Sequence, residues 1–122
     1  MKALLSIKPE FASKIFKGEK KFEFRRSIFK KPVKLVVVYA SSPVCRVIGE
    51  FEVEELIFDE LEKLWKKTKK HAGISEDYFY AYFSDKEKGH AIKIGSTKKY
   101  RKPLLLKETF GVIPPQSYLY LL

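Results

Sequence analysis

The chain has 122 residues, 45% of them hydrophobic and 15% aromatic, enough for one domain to build a core over residues 1–122 without metal or disulfide support. One cysteine, Cys45, excludes a disulfide framework and is read as a buried structural thiol or, secondarily, a nucleophile. The net charge of +10 favours polyanionic partners, nucleic acid before anionic membrane.

In chain order, Ala3–Ile7 is a short apolar run that predicts a first strand. Pro9 suits a first helical turn, and Phe11, Ala12, Ile15 and Phe16 recur at helical spacing before Gly18 stops the helix. The stretch KKFEFRR alternates with period two and predicts a strand. Leu35–Tyr39 (LVVVY) reads as a strand buried on both faces, and Ala40–Pro43 as a turn. Val44–Phe58 is a long β-prone stretch in which Gly49 marks a bulge or bend. Asp59 is placed to cap a helix running to about Lys70, and Ser75 to open a second, aromatic one (SEDYFYAYF). Gly89–Ile94, a stretch near Leu104–Leu106, and Ser117–Leu121 complete the strands. The predicted class is α+β, with about six strands, two or three helices and a small mixed or barrel-like sheet.

The apolar run at the N-terminus is too short for a signal peptide, and no stretch approaches a membrane span, so a cytoplasmic protein is expected. Asn is absent, Gln116 is the one Gln, and Lys and Glu abound, a bias expected of a thermophile. Residues 1–34 hold eleven basic against three acidic residues, residues 50–62 seven acidic and no basic ones, and residues 98–107 five basic and no acidic ones. Lys98, Lys99, Arg101 and Lys102 form the expected basic patch. The acidic segment leaves a protein-interaction role as the third-ranked reading.

Phosphate-loop, dinucleotide and HExxH signatures are absent, and His71 and His90 stand at no metal-ligand spacing, so neither metal nor cofactor is expected. The constellation that remains lies in KGEKKFEFRR. Glu23 and Arg25, two apart in a strand, share a face, while Phe22 and Phe24 take the other. The pair is either a solvated surface pair or part of a pocket. In such a pocket Lys20 and Arg25 bind an anion or base edge and Glu23 accepts from an amine.

The stretch LSIKPEFASKIFKGEKKFEFR resembles the opening of ASCH domains, a branch of the PUA-like superfamily. Gly18, Lys20, Glu23 and Arg25 match the family's GxKxxExR hallmark in register. The turn YASSP (Tyr39–Pro43) and the segment PPQSY (Pro114–Tyr118) look like an archaeal-type subgroup. The resemblance implies a PUA-like small β-barrel flanked by helices, with a cleft beside the first helix. Family members are mostly predicted RNA-binding modules, and a ribonuclease activity has been attributed to one. A bacterial branch hydrolyses N4-acetylcytidine with a Lys, a Thr three residues later and a distant Glu. Lys20 matches that Lys, but Glu23 stands at the Thr position, and Glu76 is the nearest residue to the distant Glu.

The resemblance thus implies that Lys20, Glu23 and Arg25 face the cleft, with Ser6, Lys8, Ser41, Ser42, Gln116 and Ser117 adding donors and acceptors. The leading expectation is a monomeric module binding RNA or a modified nucleoside. The alternative is a small hydrolase using Lys20 and Glu23.

Overall fold

The structure, a computed structural model, describes residues 1–121. Six strands form one mixed sheet in the order β2-β5-β4-β3-β1-β6. The chain runs β1 (Lys2–Ile7), α1 (Pro9–Phe16), β2 (Phe22–Arg25), β3 (Leu35–Ala40), β4 (Arg46–Glu60), α2 (Leu61–Thr68), α3 (Glu76–Tyr82), β5 (Lys88–Leu104), α4 (Leu106–Phe110) and β6 (Tyr118–Leu121). A single 3-10 turn, Lys69–His71, follows α2. Only β1 and β3 pair in parallel among the described strands.

The long strands β4 and β5 decide the shape. Their ladder slips register between Val47 and Gly49, Phe51 and Val53, and Val53 and Glu55. Each slip bends the strands and increases their twist. The first half of β4 pairs with β3, and the first half of β5 pairs with β2, so the bend swings β2 round toward β1. The sheet does not close. No ladder joins β2 to β6 among the described residues, and the expected barrel is an open, strongly bent sheet. A side chain spans the opening instead: Arg25 Nη2 donates to the carbonyls of Ser6 and Ser117, both at 3.2 Å.

Gly49 sits at one of these slips for a steric reason. A Cβ there would lie 2.5 Å from the Phe16 ring and 2.6 Å from the Lys98 carbonyl oxygen, so glycine lets α1 press against the sheet. Ala12 and Ile15 of α1 pack there with Val36, Val38, Phe51 and Ile92. A second cluster joins Phe22 and Phe24 to Leu64, Phe79 and Phe83 of the α2–α3 segment. A third sets Leu106 of α4 on Leu4, Val37, Tyr39 and Val47.

Several boundaries differ from the sequence expectation. Asp59 is still in β4, and its carboxylate accepts from the Glu60 amide and from Lys67 Nζ, both at 2.8 Å, so α2 starts at Leu61 without a side-chain cap. Ser75 does cap α3, its Oγ accepting from the Tyr78 amide at 3.1 Å. The predicted strand Gly89–Ile94 continues to Leu104, because its polar second half pairs with β4. The expected strand near Leu104–Leu106 is instead the end of β5 and the start of α4, which brings the count to four α-helices among the described residues. No helix among the described residues is long and apolar enough to cross a membrane.

Candidate functional site

Where the bent sheet leaves its gap, a cleft of about 530 Å³ opens between β1, β2, the end of β3, α3 and the segment before β6. β2 supplies its charged wall. Phe22 and Phe24 anchor the strand in the α2–α3 cluster, with Phe24 also bordering the cleft, and Glu23 and Arg25 project from the other side of the pleat. Glu23 is only 7% exposed, so its face of β2 is not a wet surface. Arg25 Nε lies 3.5 Å from Glu23 Oε2, while its Nη2 holds the two carbonyls across the gap.

Lys20 enters just before β2 and is 2% exposed. Its Nζ donates to the Ala72 carbonyl at 2.6 Å and lies 5.3 Å and 4.9 Å from the ring centroids of Phe11 and Phe24. One carbonyl and two aromatic faces replace most of its water. Burial pushes its pKa down to about 8, with Glu23 pulling it up and Lys14 adding to the fall. Gly73 makes this burial feasible. A Cβ there would fall 2.5 Å from Lys20 Cγ, and its φ of +69° lies in the left-handed region. Lys14 Nζ donates to the Gly73 carbonyl at 3.1 Å, so α1 holds the same turn.

Aromatic groups make the rest of the wall. Tyr78 and Tyr82 are one helical turn apart on α3 and line the cleft, while Phe79 and Phe83 on the adjacent face are fully buried. Burial holds the Tyr82 phenol above its usual pKa, with Arg25 opposing and Glu23 reinforcing. Tyr39 is buried at the cleft floor beside Cys45, and burial raises its pKa too, with a hydrogen bond to Cys45 adding to the rise.

A family model of the ASCH domain matches residues 5–102. The chain belongs to the ASCH domain family. An ASCH domain-containing ribonuclease of Zymomonas mobilis is 34% identical over 123 residues, which cover 98% of this chain and 83% of that protein. The crystal structure of ASCH from Zymomonas mobilis superposes with a TM-score of 0.90 at 34% identity, covering 98% of this chain and 87% of that one. A protein of Ureaplasma parvum named large ribosomal subunit protein uL22 is 32% identical over 119 residues. This chain spans 97% of its own length in that match but only 38% of the relative's. The open bent sheet is therefore the PUA-like α+β fold of an ASCH domain.

In this ASCH domain the hallmark residues Lys20, Glu23 and Arg25 meet at one concavity. Ser6, Lys8, Ser41, Ser42 and Gln116 line it as well. The Ser6 hydroxyl is engaged, donating to the Pro115 carbonyl at 2.7 Å. Lys8 Nζ donates to the Tyr78 hydroxyl at 3.1 Å, a bond that raises the lysine's pKa. Ser117 reaches the site through its carbonyl, on Arg25.

Glu76 is exposed in the first turn of α3 and is not part of the cleft wall. Lys98, Lys99, Arg101 and Lys102 are exposed on the second half of β5, outside the cleft wall, where successive residues alternate between faces. Cys45 is half-buried with φ of 53° and lines the cleft, so it is not the buried core thiol of the sequence reading. Phe11, Ile74, Tyr78 and Tyr82 are wall residues that the sequence did not single out as such. For the tyrosines the signal was present, since Tyr78 and Tyr82 stand at i, i+4 beside the apolar pair Phe79 and Phe83. Among the described residues no cluster of three or more His, Cys, Asp or Glu side chains is placed to hold a metal ion.

Proposed function

We propose that this ASCH domain binds single-stranded RNA and holds one nucleotide in the cleft, its base against the aromatic wall and its polar edge toward Lys20, Glu23 and Arg25. The observation that carries this reading is the cleft itself. It joins charged groups of both signs to the rings of Phe11, Tyr78 and Tyr82 in a space of about 530 Å³. A mostly apolar pocket of a few hundred Å³ with a few converging polar groups is the usual form of a small-ligand site. Glu23 accepts from an exocyclic amine, and the Arg25 Nη1 group, not used on the two carbonyls, donates to a ring oxygen or nitrogen. Stacking on a ring is worth about 1–3 kcal/mol per base. Fluorescence anisotropy of labelled oligomers tests the reading. Phe11→Ala and Arg25→Ala are each expected to weaken binding of the preferred base by about 10-fold or more. Equal binding by wild type and both variants would remove the cleft from the interaction.

Cleavage of the bound RNA is the second reading, favoured by the ribonuclease of Zymomonas mobilis and by the lowered pKa of Lys20. In that reaction the Glu23 carboxylate takes the proton of the ribose 2′-hydroxyl. The 2′-oxygen attacks phosphorus, and the leaving 5′-oxygen takes a proton from the Lys20 ammonium. The products are a 2′,3′-cyclic phosphate and a 5′-hydroxyl end. Arg25 offsets charge on the phosphoryl oxygens. An acid of pKa about 8 makes the rate fall above that pH. Gel analysis of an end-labelled RNA between pH 6 and 10 separates the two readings: intact RNA throughout leaves binding alone.

A further inference from the structure

On the other side of Lys20 from the cleft lies a second concavity of about 740 Å³. Its walls are the Gly18–Phe22 segment, the end of α2 with the turn that follows it, and β5 from Lys93 to Thr97. Besides Lys20, the lysines Lys21, Lys66, Lys67, Lys69, Lys70 and Lys93 line it, against one carboxylate, Glu54. Glu54 is engaged by Lys93 at 2.8 Å. Lys66 and Lys67 pair with Glu62 and Asp59 at 3.5 Å and 2.8 Å. Lys21, Lys69 and Lys70 have no carboxylate within 4.0 Å among the described residues.

Helix-end electrostatics accounts for only part of this. Cations in the last turn of α2 complement its dipole, by about 0.3–1 kcal/mol each. Lys69 and Lys70 lie beyond the helix, and Lys21 comes from a different element. Cations gathered in one concavity repel one another within a Debye length of about 8–10 Å. β4 carries exposed glutamates at 52 and 55; Glu55 acts on Lys93, but neither pairs with Lys21, Lys69 or Lys70 within 4.0 Å. A ligand with spaced negative charges relieves this repulsion. The cations are spread over three elements instead of converging on a point, which suits a chain of phosphates better than a single anion. Their placement in a hollow, beside the hydroxyls of Ser96 and Thr97, suits a flexible strand better than a flat bilayer.

We infer that this groove is a second binding site, which carries the phosphodiester backbone of the same single-stranded RNA whose nucleotide occupies the cleft. The inference rests on the RNA reading above. The two sites adjoin because Lys20 lines both, with the segments Lys20–Phe22 and His71–Gly73 forming the partition. Lys21 donates its amide to the His71 carbonyl across it at 2.8 Å, so the partition is held in place by the backbone.

The test is anisotropy of a labelled twelve-residue uridine oligomer at 50, 100 and 200 mM salt. Wild type is compared with K21Q/K69Q/K70Q and with K98Q/K99Q/K102Q, which removes equal charge outside both sites. All six lysines are exposed, and circular dichroism verifies that each variant is folded. K69Q/K70Q serves if the triple variant is not. Each lost phosphate contact lowers the salt slope by about 0.7, so three flatten it by about 2. Wild type is then expected to lose about 20-fold more affinity than the groove variant between 50 and 200 mM salt. The control is expected to stay near wild type. Equal flattening in both variants, or an unchanged slope in the groove variant, overturns the inference and leaves the RNA reading standing. No binding by wild type at 50 mM salt removes both. If the groove variant loses binding to phosphatidylglycerol vesicles while its RNA binding is unchanged, the groove belongs to a membrane surface and the inference is overturned.

Discussion

Lys20 carries its ammonium group where water scarcely reaches, and the Ala72 carbonyl and two phenylalanine rings offset only part of the lost hydration. Its folded pKa of about 8 lies below the ordinary 10.5, so folding disfavours its charged form. The difference corresponds to about 3 kcal/mol, present below pH 8, where the lysine is charged in both states. As pH rises from about 8 to 10.5 the folded lysine loses its proton while the unfolded one keeps it, and the penalty fades. The stability of wild type relative to Lys20→Met is therefore expected to increase by up to about 3 kcal/mol over that range. Urea denaturation of both proteins at pH 7 and pH 10.5 measures it, and a constant difference would mean that Lys20 is better solvated than its burial implies. Glu23 carries the second prediction at this scale. A carboxylate stands where the acetylcytidine-hydrolysing branch uses a threonine hydroxyl, and a carboxylate is a poor acyl acceptor. N4-acetylcytidine incubated with the protein is expected to be recovered intact by chromatography. Turnover lost on Glu23→Gln would reverse that conclusion.

The elements around the cleft divide their faces between packing and site. α3, with Phe83 as its C-cap, directs Phe79 and Phe83 into the core and Tyr78 and Tyr82 toward the cleft. Phe79 meets Phe24 at 5.2 Å and Trp65 at 5.0 Å between ring centroids, so it ties α3 to both β2 and α2. Phe79→Ala is expected to cost about 3–5 kcal/mol by thermal or urea unfolding, while the exposed-edge change Tyr80→Ala costs under about 1. The bent ladder of β4 and β5 has its own sensitive point. An alanine Cβ at position 49 meets the Lys98 carbonyl oxygen as well as the Phe16 ring, and a backbone oxygen in a ladder cannot step aside. Gly49→Ala is expected to destabilise by about 1–3 kcal/mol, and a value near zero would show that α1 shifts freely on the sheet.

At the scale of the molecule, charge is sorted by element. The net charge is +10, yet β4 presents glutamates along its exposed edge, and the cations cluster before β2, after α2 and along the far half of β5. Such a field attracts any polyanion, but only a ligand with bases gains from the cleft. RNA is therefore expected to bind more tightly than heparin of equal charge, and Arg25→Ala to narrow that difference more than it changes heparin binding. Competition anisotropy reads both effects. Heparin displacing RNA at equal charge would leave phosphate attraction as the whole of the interaction.

Alternation in KKFEFRR, the helical spacing of Phe11 to Phe16 and the apolar run of β3 were decided locally, because period two and period 3.6 follow from backbone geometry within a few residues. The four hallmark positions likewise sit within eight residues, and they marked the family and the charged wall. The extent of β5 was not decided locally. Its second half is polar and becomes a strand only because β4 lies beside it to accept its hydrogen bonds. The open edge of the sheet, the aromatic wall from α3 and the groove behind Lys20 depend on residues more than fifty positions apart meeting across bulges, as Lys20 meets Ala72. Such meetings are set by the summed bend of two long strands and by side-chain packing, and no window of sequence contains them.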